Sequence, residues 1–134
     1  MTSGTRAPRG STIRRYTELI VWQKAMALVD IVYRGSCSLP DAERYGITQQ
    51  LRRTAVSIPS NIAEGHGRMT NGDYVRFLAI ARGSLLETET LLQLCVSLEY
   101  VQAAAIAEAM SLADEVSRML AVMIRTLGKR SPKA

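Results

Sequence analysis

Apolar side chains recur along the sequence at three- and four-residue steps in four blocks, separated by short polar stretches containing Gly, Pro, Asp and Asn. That spacing places them on one stripe of a helix in each block. In residues 19–37 the stripe is Val21, Trp22, Ala25, Met26, Leu28, Val29 and Val32, and Gly35 followed by Pro40 is the order expected where a helix closes. Residues 47–68 read ITQQLRRTAVSIPSNIAEGHGR, with Ile47, Leu51, Ala55, Ile58 and Ile62 in line. Pro59 falls in the middle of that helix, where it removes a donor and crowds the carbonyl of Ala55, at a cost of about 3 kcal/mol. A kink at Pro59 is therefore expected, with neighbours packed hard against it and Ser57, Ser60 and Asn61 satisfying freed backbone atoms. Ala63, Gly65 and Gly67 thin the chain at the exit, which suits close backbone approach.

The third block has the clearest start signal. Thr70-Asn71-Gly72-Asp73 has capping-box spacing, and Tyr74, Phe77, Leu78, Ala81, Leu85, Thr88, Leu92 and Cys95 follow at helical steps. Gly83, with Ala79 and Ser84, forms a small-residue strip in the interior of this helix. It predicts a neighbouring helix crossing unusually close. The fourth block, 102–127, carries Ile106, Ala109, Met110, Ala113, Val116, Leu120, Met123 and Leu127. Four amphipathic helices with short connections predict an all-α fold, an antiparallel up-down four-helix bundle over residues 17–127. Basic tails, 1–16 and 128–134, flank it.

Composition agrees with a helical bundle: of 134 residues, 47% are hydrophobic but only 5% aromatic. No apolar run reaches membrane-spanning length, and the amino-terminal stretch lacks the apolar core of a secretory signal, so the cytoplasm is the expected location. Cys37 and Cys95 are too few and too far apart for a zinc framework or a disulfide scaffold, and each is expected at a core or boundary position. The net charge of +5 is unevenly spread. Residues 1–15 and 125–134 each carry +4, leaving −3 for the body. Within the body, residues 44–82 hold +4 and residues 83–124 hold −5. Any nucleic-acid contact thus has to come from the tails and the second-to-third helix region.

The stretches VWQKAMALVDIVY, ERYGITQQLRRTAVSIPSNIAEGHGR and RFLAIARGSLLETETLL resemble the bacterial four-helix-bundle family encoded in 23S rRNA intervening sequences. The same fold resembles the accessory protein of diversity-generating retroelements. The resemblance spans nearly everything but the tails. It implies a homopentameric ring without catalytic activity and, for the retroelement relatives, a basic surface engaging nucleic acid and a reverse transcriptase. Two departures appear. The turn after the third helix, Leu98-Glu99-Tyr100, has Glu where the family places a left-handed glycine. The fourth helix opens on Gln102 and three alanines, without a Ser or Asp cap.

Individual residues yield no reaction chemistry. His66 is the sole histidine and lacks companion ligands, and it is expected as an exposed loop residue. Ser57 and Ser60 have no nearby base. No catalytic residue, metal ligand or cofactor site is therefore assigned. Candidate nucleic-acid contacts are Arg14, Arg15, Arg52, Arg53, Arg68, Lys129 and Arg130. The competing reading for the body arginines, with Arg76 and Arg82, is pairing within the bundle: Arg68 with Glu64, Arg53 with Glu87. Trp22, Pro59, Asn61, Glu64, Gly65 and Gly83 are assigned to packing or a subunit interface, Asn61 and Glu64 supplying polar specificity. The expected partners are further copies of the chain, RNA or DNA, and a reverse transcriptase or other protein, but no membrane. The alternative is a protein scaffold with no nucleic-acid affinity.

Overall fold

A computed structural model describes residues 15–130; Arg14 and the rest of 1–14, together with 131–134, lie outside the described residues. A 3-10 turn, Tyr16–Glu18, leads into α1 (Ile20–Ser36), and a second turn, Asp41–Glu43, precedes α2 (Ile47–His66). Then come α3 (Asn71–Ser97), a third turn (Ala103–Ile106) and α4 (Ala107–Arg130). The described residues form an all-α four-helix bundle. The helices stand in a square, α1 and α3 each beside both α2 and α4. Neighbours run antiparallel: Ser36 at the end of α1 lies beside Arg52 near the start of α2, Thr54 meets Thr88 where Ser57 meets Ser84, and α1 lines one cavity from Val32 with Ala109 and another from Val21 with Met119. One end of the bundle therefore holds the α1–α2 and α3–α4 connections. The other holds the α2–α3 turn, the start of α1 and the end of α4.

The stripes read from the sequence meet at the axis, except that Met26, assigned to the first, is exposed because it lies outside the buried line of Val21, Ala25, Leu28 and Val32. Leu28, Ile58, Ile62, Leu78, Leu85 and Leu120 are wholly buried, each contributing about 1.5–3 kcal/mol of transfer free energy. Helix α2 runs unbroken through Pro59, itself buried. Asn61 Nδ2 donates to the carbonyl and hydroxyl oxygens of Ser57 at 2.8 and 2.9 Å, so its amide is taken up within the chain. Between α2 and α3 runs a polar seam. Thr54 and Thr88 hydroxyls meet at 3.0 Å inside the core, and those of Ser57 and Ser84 at 2.8 Å. Each threonine also stands within hydrogen-bonding distance of a carbonyl of its own helix, Leu51 and Ser84 respectively.

The close crossing lies at Gly65. A Cβ there would stand 2.9 Å from that of Phe77 and 3.2 Å from the carbonyl oxygen of Tyr74. Gly83, expected to mark such a crossing, faces outward, and a Cβ placed on it would meet nothing within 4 Å. Other expectations shift as well. Helix α4 starts only at Ala107, after the 3-10 turn over the three alanines, and runs on through Arg130. Lys129 thus sits on a helix and not in a tail. Gly35 lies inside α1, which ends in ordinary right-handed backbone at Cys37.

Candidate nucleic-acid interface

The arginines predicted to act together divide between the two ends and between two kinds of work. Arg52, half-buried on α2, donates from Nε to Ser36 Oγ at 2.7 Å and reaches the Tyr33 carbonyl at 3.5 Å. Its guanidinium lies 4.8 Å from the centre of the Tyr33 ring. It closes the exposed carbonyl end of α1, where a cation is favoured. Arg68, at the opposite end, pairs with Glu64 at 2.7 Å as the four-residue spacing predicted, and stacks on Phe77 at 4.6 Å. Arg76 lies 4.8 Å from the same ring. Glu64 is thereby engaged within the chain.

Arg53 does not pair with Glu87 as expected; Gln50 Nε2 donates to that carboxylate at 3.0 Å. Arg53 and Glu87 instead line one open groove of about 400 Å³, with Tyr45, Gln49, Thr54, Ser57 and Ser84. Arg15 lies 5.8 Å from the Tyr16 ring, which meets Trp22 edge-on at 5.3 Å. Trp22 is half-buried against the core. Lys129 is exposed on the last turns of α4, one helical step past exposed Arg125, at the end where α1 begins. Five ion pairs occur among the described residues: Lys24–Glu115, Arg34–Asp30, Arg68–Glu64, Arg76–Asp73 and Arg118–Asp114. Among the described residues Arg44, Arg53, Arg82, Arg125 and Lys129 pair with no carboxylate.

Sequence reasoning missed Arg44 and Tyr45. Tyr45 is 78% exposed, with the Arg44 guanidinium 5.4 Å from its ring centre. An Arg-Tyr pair ahead of a turn glycine, in a connector with no apolar stripe to join, was the available signal. Glu43 was missed too. Its Oε1 accepts from the first amide of α2, Ile47, at 3.0 Å, and its Oε2 accepts from the Tyr100 hydroxyl at 2.7 Å. These two hydrogen bonds hold the Glu43 carboxyl below the usual range, while the same bond to Glu43 raises the Tyr100 phenol. No side chain caps the amino terminus of α2 from the N-cap position, which is Gly46. A side chain at Gly46 would meet Glu43 Oε1 at 2.6 Å, so the glycine leaves the carboxylate its place.

His66 is the last residue of α2, half-buried, with its ring edge-on to Tyr74 at 5.9 Å, not exposed in a loop. Cys95 is buried, and desolvation raises its thiol, keeping it protonated; Cys37 is exposed and donates to the Tyr33 carbonyl at 3.4 Å. No group of three or more potential metal ligands occurs among the described residues. No described helix is long and apolar enough to cross a membrane.

Residues 17–122 match the family model of the 23S rRNA-intervening sequence protein. The chain belongs to that family. A crystal structure of a protein of unknown function, from the S23 ribosomal protein family of Bacteroides thetaiotaomicron, superposes with a TM-score of 0.71. It is 22% identical and covers 78% of this chain and 98% of its own, a likeness of fold. No curated protein matches. Neither family nor structural neighbour is described as an enzyme.

Proposed function

We propose that this 23S rRNA-intervening sequence protein is a non-enzymatic, self-assembling bundle, a homopentamer, that binds nucleic acid, RNA foremost. The ion-pair pattern carries the reading. Among the described residues Arg44, Arg53, Arg82, Arg125 and Lys129 have no carboxylate partner, so their charge is available to phosphate. Arg53 faces the groove, and Arg125 and Lys129 continue toward the basic carboxy-terminal residues. Self-assembly is supported by the outer face of α3, where Ala79, Gly83, Leu86 and Leu94 are exposed in one line. A glycine inside a helix costs about 1 kcal/mol relative to alanine, and no neighbour in the chain calls for it at position 83.

That apolar face also favours the second reading, a protein-interaction scaffold without affinity for nucleic acid. Light scattering coupled to size exclusion, at low and high salt and with structured RNA, separates the two. The expected result is a salt-stable pentamer that takes up RNA at low salt only. A pentamer indifferent to RNA supports the scaffold, and a monomer overturns the assembly.

A further inference from the structure

The groove between the start of α2 and the middle of α3 contains recognition chemistry that the fold does not consume. Tyr45, Gln49 and Arg53 follow one another at four-residue steps, and all three line it. The hydroxyls of Thr54, Ser57 and Ser84 also line it, yet they are spent on one another, on Thr88 and on α2's own carbonyl and amide groups. What stays unspent is at the rim. The Gln49 side chain has no hydrogen-bond partner and Arg53 no carboxylate partner among the described residues. Tyr45, at 78% exposure, offers a ring whose neighbour is a second cation, Arg44. Burial does not explain so exposed an aromatic.

We propose that this groove holds one nucleotide of a single-stranded segment, its base stacked on Tyr45 and its phosphate on Arg53. The inference rests on the nucleic-acid reading above and gives it a location and a strandedness. Three observations fix the arrangement. First, an aromatic ring set within one groove of a free guanidinium matches a base joined to its phosphate, and a stacking platform beside a cation is how single strands are held. Second, Glu87 shares the groove without pairing to Arg53. Its negative charge turns a phosphate away from that wall and accepts from the amino edge of a base, so the nucleotide has one favoured direction. Third, a volume of about 400 Å³ lies in the range of small-molecule sites, roughly 300–1,000 Å³. Bases stacked within a duplex have no free face for Tyr45, so the site discriminates against double strands.

The test is fluorescence anisotropy with a short labelled single-stranded RNA and with the same strand annealed to its complement, titrated with the full chain over a range of salt. Single strands are expected to bind tighter than duplex. Tyr45→Ala is expected to weaken single-strand binding by about 5- to 100-fold, and Tyr45→Phe to keep most of it. Arg53→Ala is expected to lower the slope of log affinity against log salt by about 0.7, the value for one phosphate on a single strand. Both positions are exposed, so unchanged thermal melting confirms that each variant is folded. Single-strand binding undiminished in Tyr45→Ala, or a duplex bound equally tightly, overturns the groove while leaving the nucleic-acid reading intact. A wild-type chain that binds neither probe overturns both.

Discussion

The two ends of the bundle are closed by opposite means. At the α2–α3 end the closure is local. Gly65 lets α2 press against Tyr74 and Phe77, and Thr70 Oγ1 accepts from the Asp73 amide at 3.1 Å. Glu64–Arg68 and Asp73–Arg76 lie on either side of the turn. Everything needed lies between Glu64 and Phe77. At the far end the backbone of the α3 exit also closes on itself, Tyr100 N–H to the Cys95 carbonyl and Glu99 N–H to that of Val96, both at 2.9 Å, but on residues poorly suited to it. Glu99 takes a left-handed φ of 64°, which a glycine would adopt without strain, and no side chain caps the turn after Gln102. That end is fastened by a long-range tie, Glu43 joining the first amide of α2 to the Tyr100 hydroxyl, 57 residues away. A bundle end can thus be secured by turn chemistry alone or by turn chemistry with a cross-link between turns added, and this chain does one at each end.

Breaking the local closure should have the largest effect. Gly65→Ala puts a methyl 2.9 Å from Phe77 Cβ and 3.2 Å from a backbone carbonyl, neither of which is a flexible side-chain tip. Forcing the helices apart is expected to cost about 1–3 kcal/mol, seen as a lower thermal midpoint. Relieving the far end should work in the other direction. Glu99→Gly removes a left-handed strain of about 1–2 kcal/mol and adds a smaller unfolded-state entropy cost. Unfolding free energy is expected to rise by roughly 0.5–1 kcal/mol, read as a higher denaturant midpoint with an unchanged slope. A fall would mean that Glu99 is tied down by its side chain.

The smallest effect concerns pH. The Glu43 carboxyl is lowered in the fold, so its contribution is present above the ordinary carboxylate range and lost as pH falls through the lowered value. The Tyr100 phenol is raised, so its share is complete below the ordinary tyrosine range and lost as pH rises through the raised value. Glu89, raised by burial and by Asp114, works against Glu43 on the acid side. It remains in a Glu43→Gln variant, so the difference between the two stability–pH curves isolates the tie. That difference is expected to shrink in acid; a constant offset would assign Glu43 a purely steric role.

The same contrast governs what the sequence discloses. The four stripes, the Thr70 cap, the Gly65 approach and the Glu64–Arg68 pair all follow from spacings of a few residues, and all are found. The Glu43–Tyr100 tie and the Arg52 clamp on α1 depend on which turns and helix ends meet in space, which no local pattern encodes. Gly83 shows a different failure. Its smallness was read correctly but its direction was not: it lies two residues from both Ala81 and Leu85 on the inward stripe, hence on the far side of α3. The candidate site was half legible. Arg53 lies in the groove as an available cation, but Tyr45, its nearest aromatic companion there, stood in a connector with no periodicity to draw notice.

The polar seam between α2 and α3 has a consequence for folding order. These helices are joined by a four-residue turn, so bringing them together closes a very short loop at little entropic cost. The hydroxyls of Thr54 and Thr88 can each bond a carbonyl of their own helix before the partner arrives, and so need not wait in an unsatisfied state. Docking the pair therefore forfeits no hydrogen bond along the way. The α2–α3 hairpin is the natural nucleus on which α1 and α4 condense, and the last part of the molecule to open.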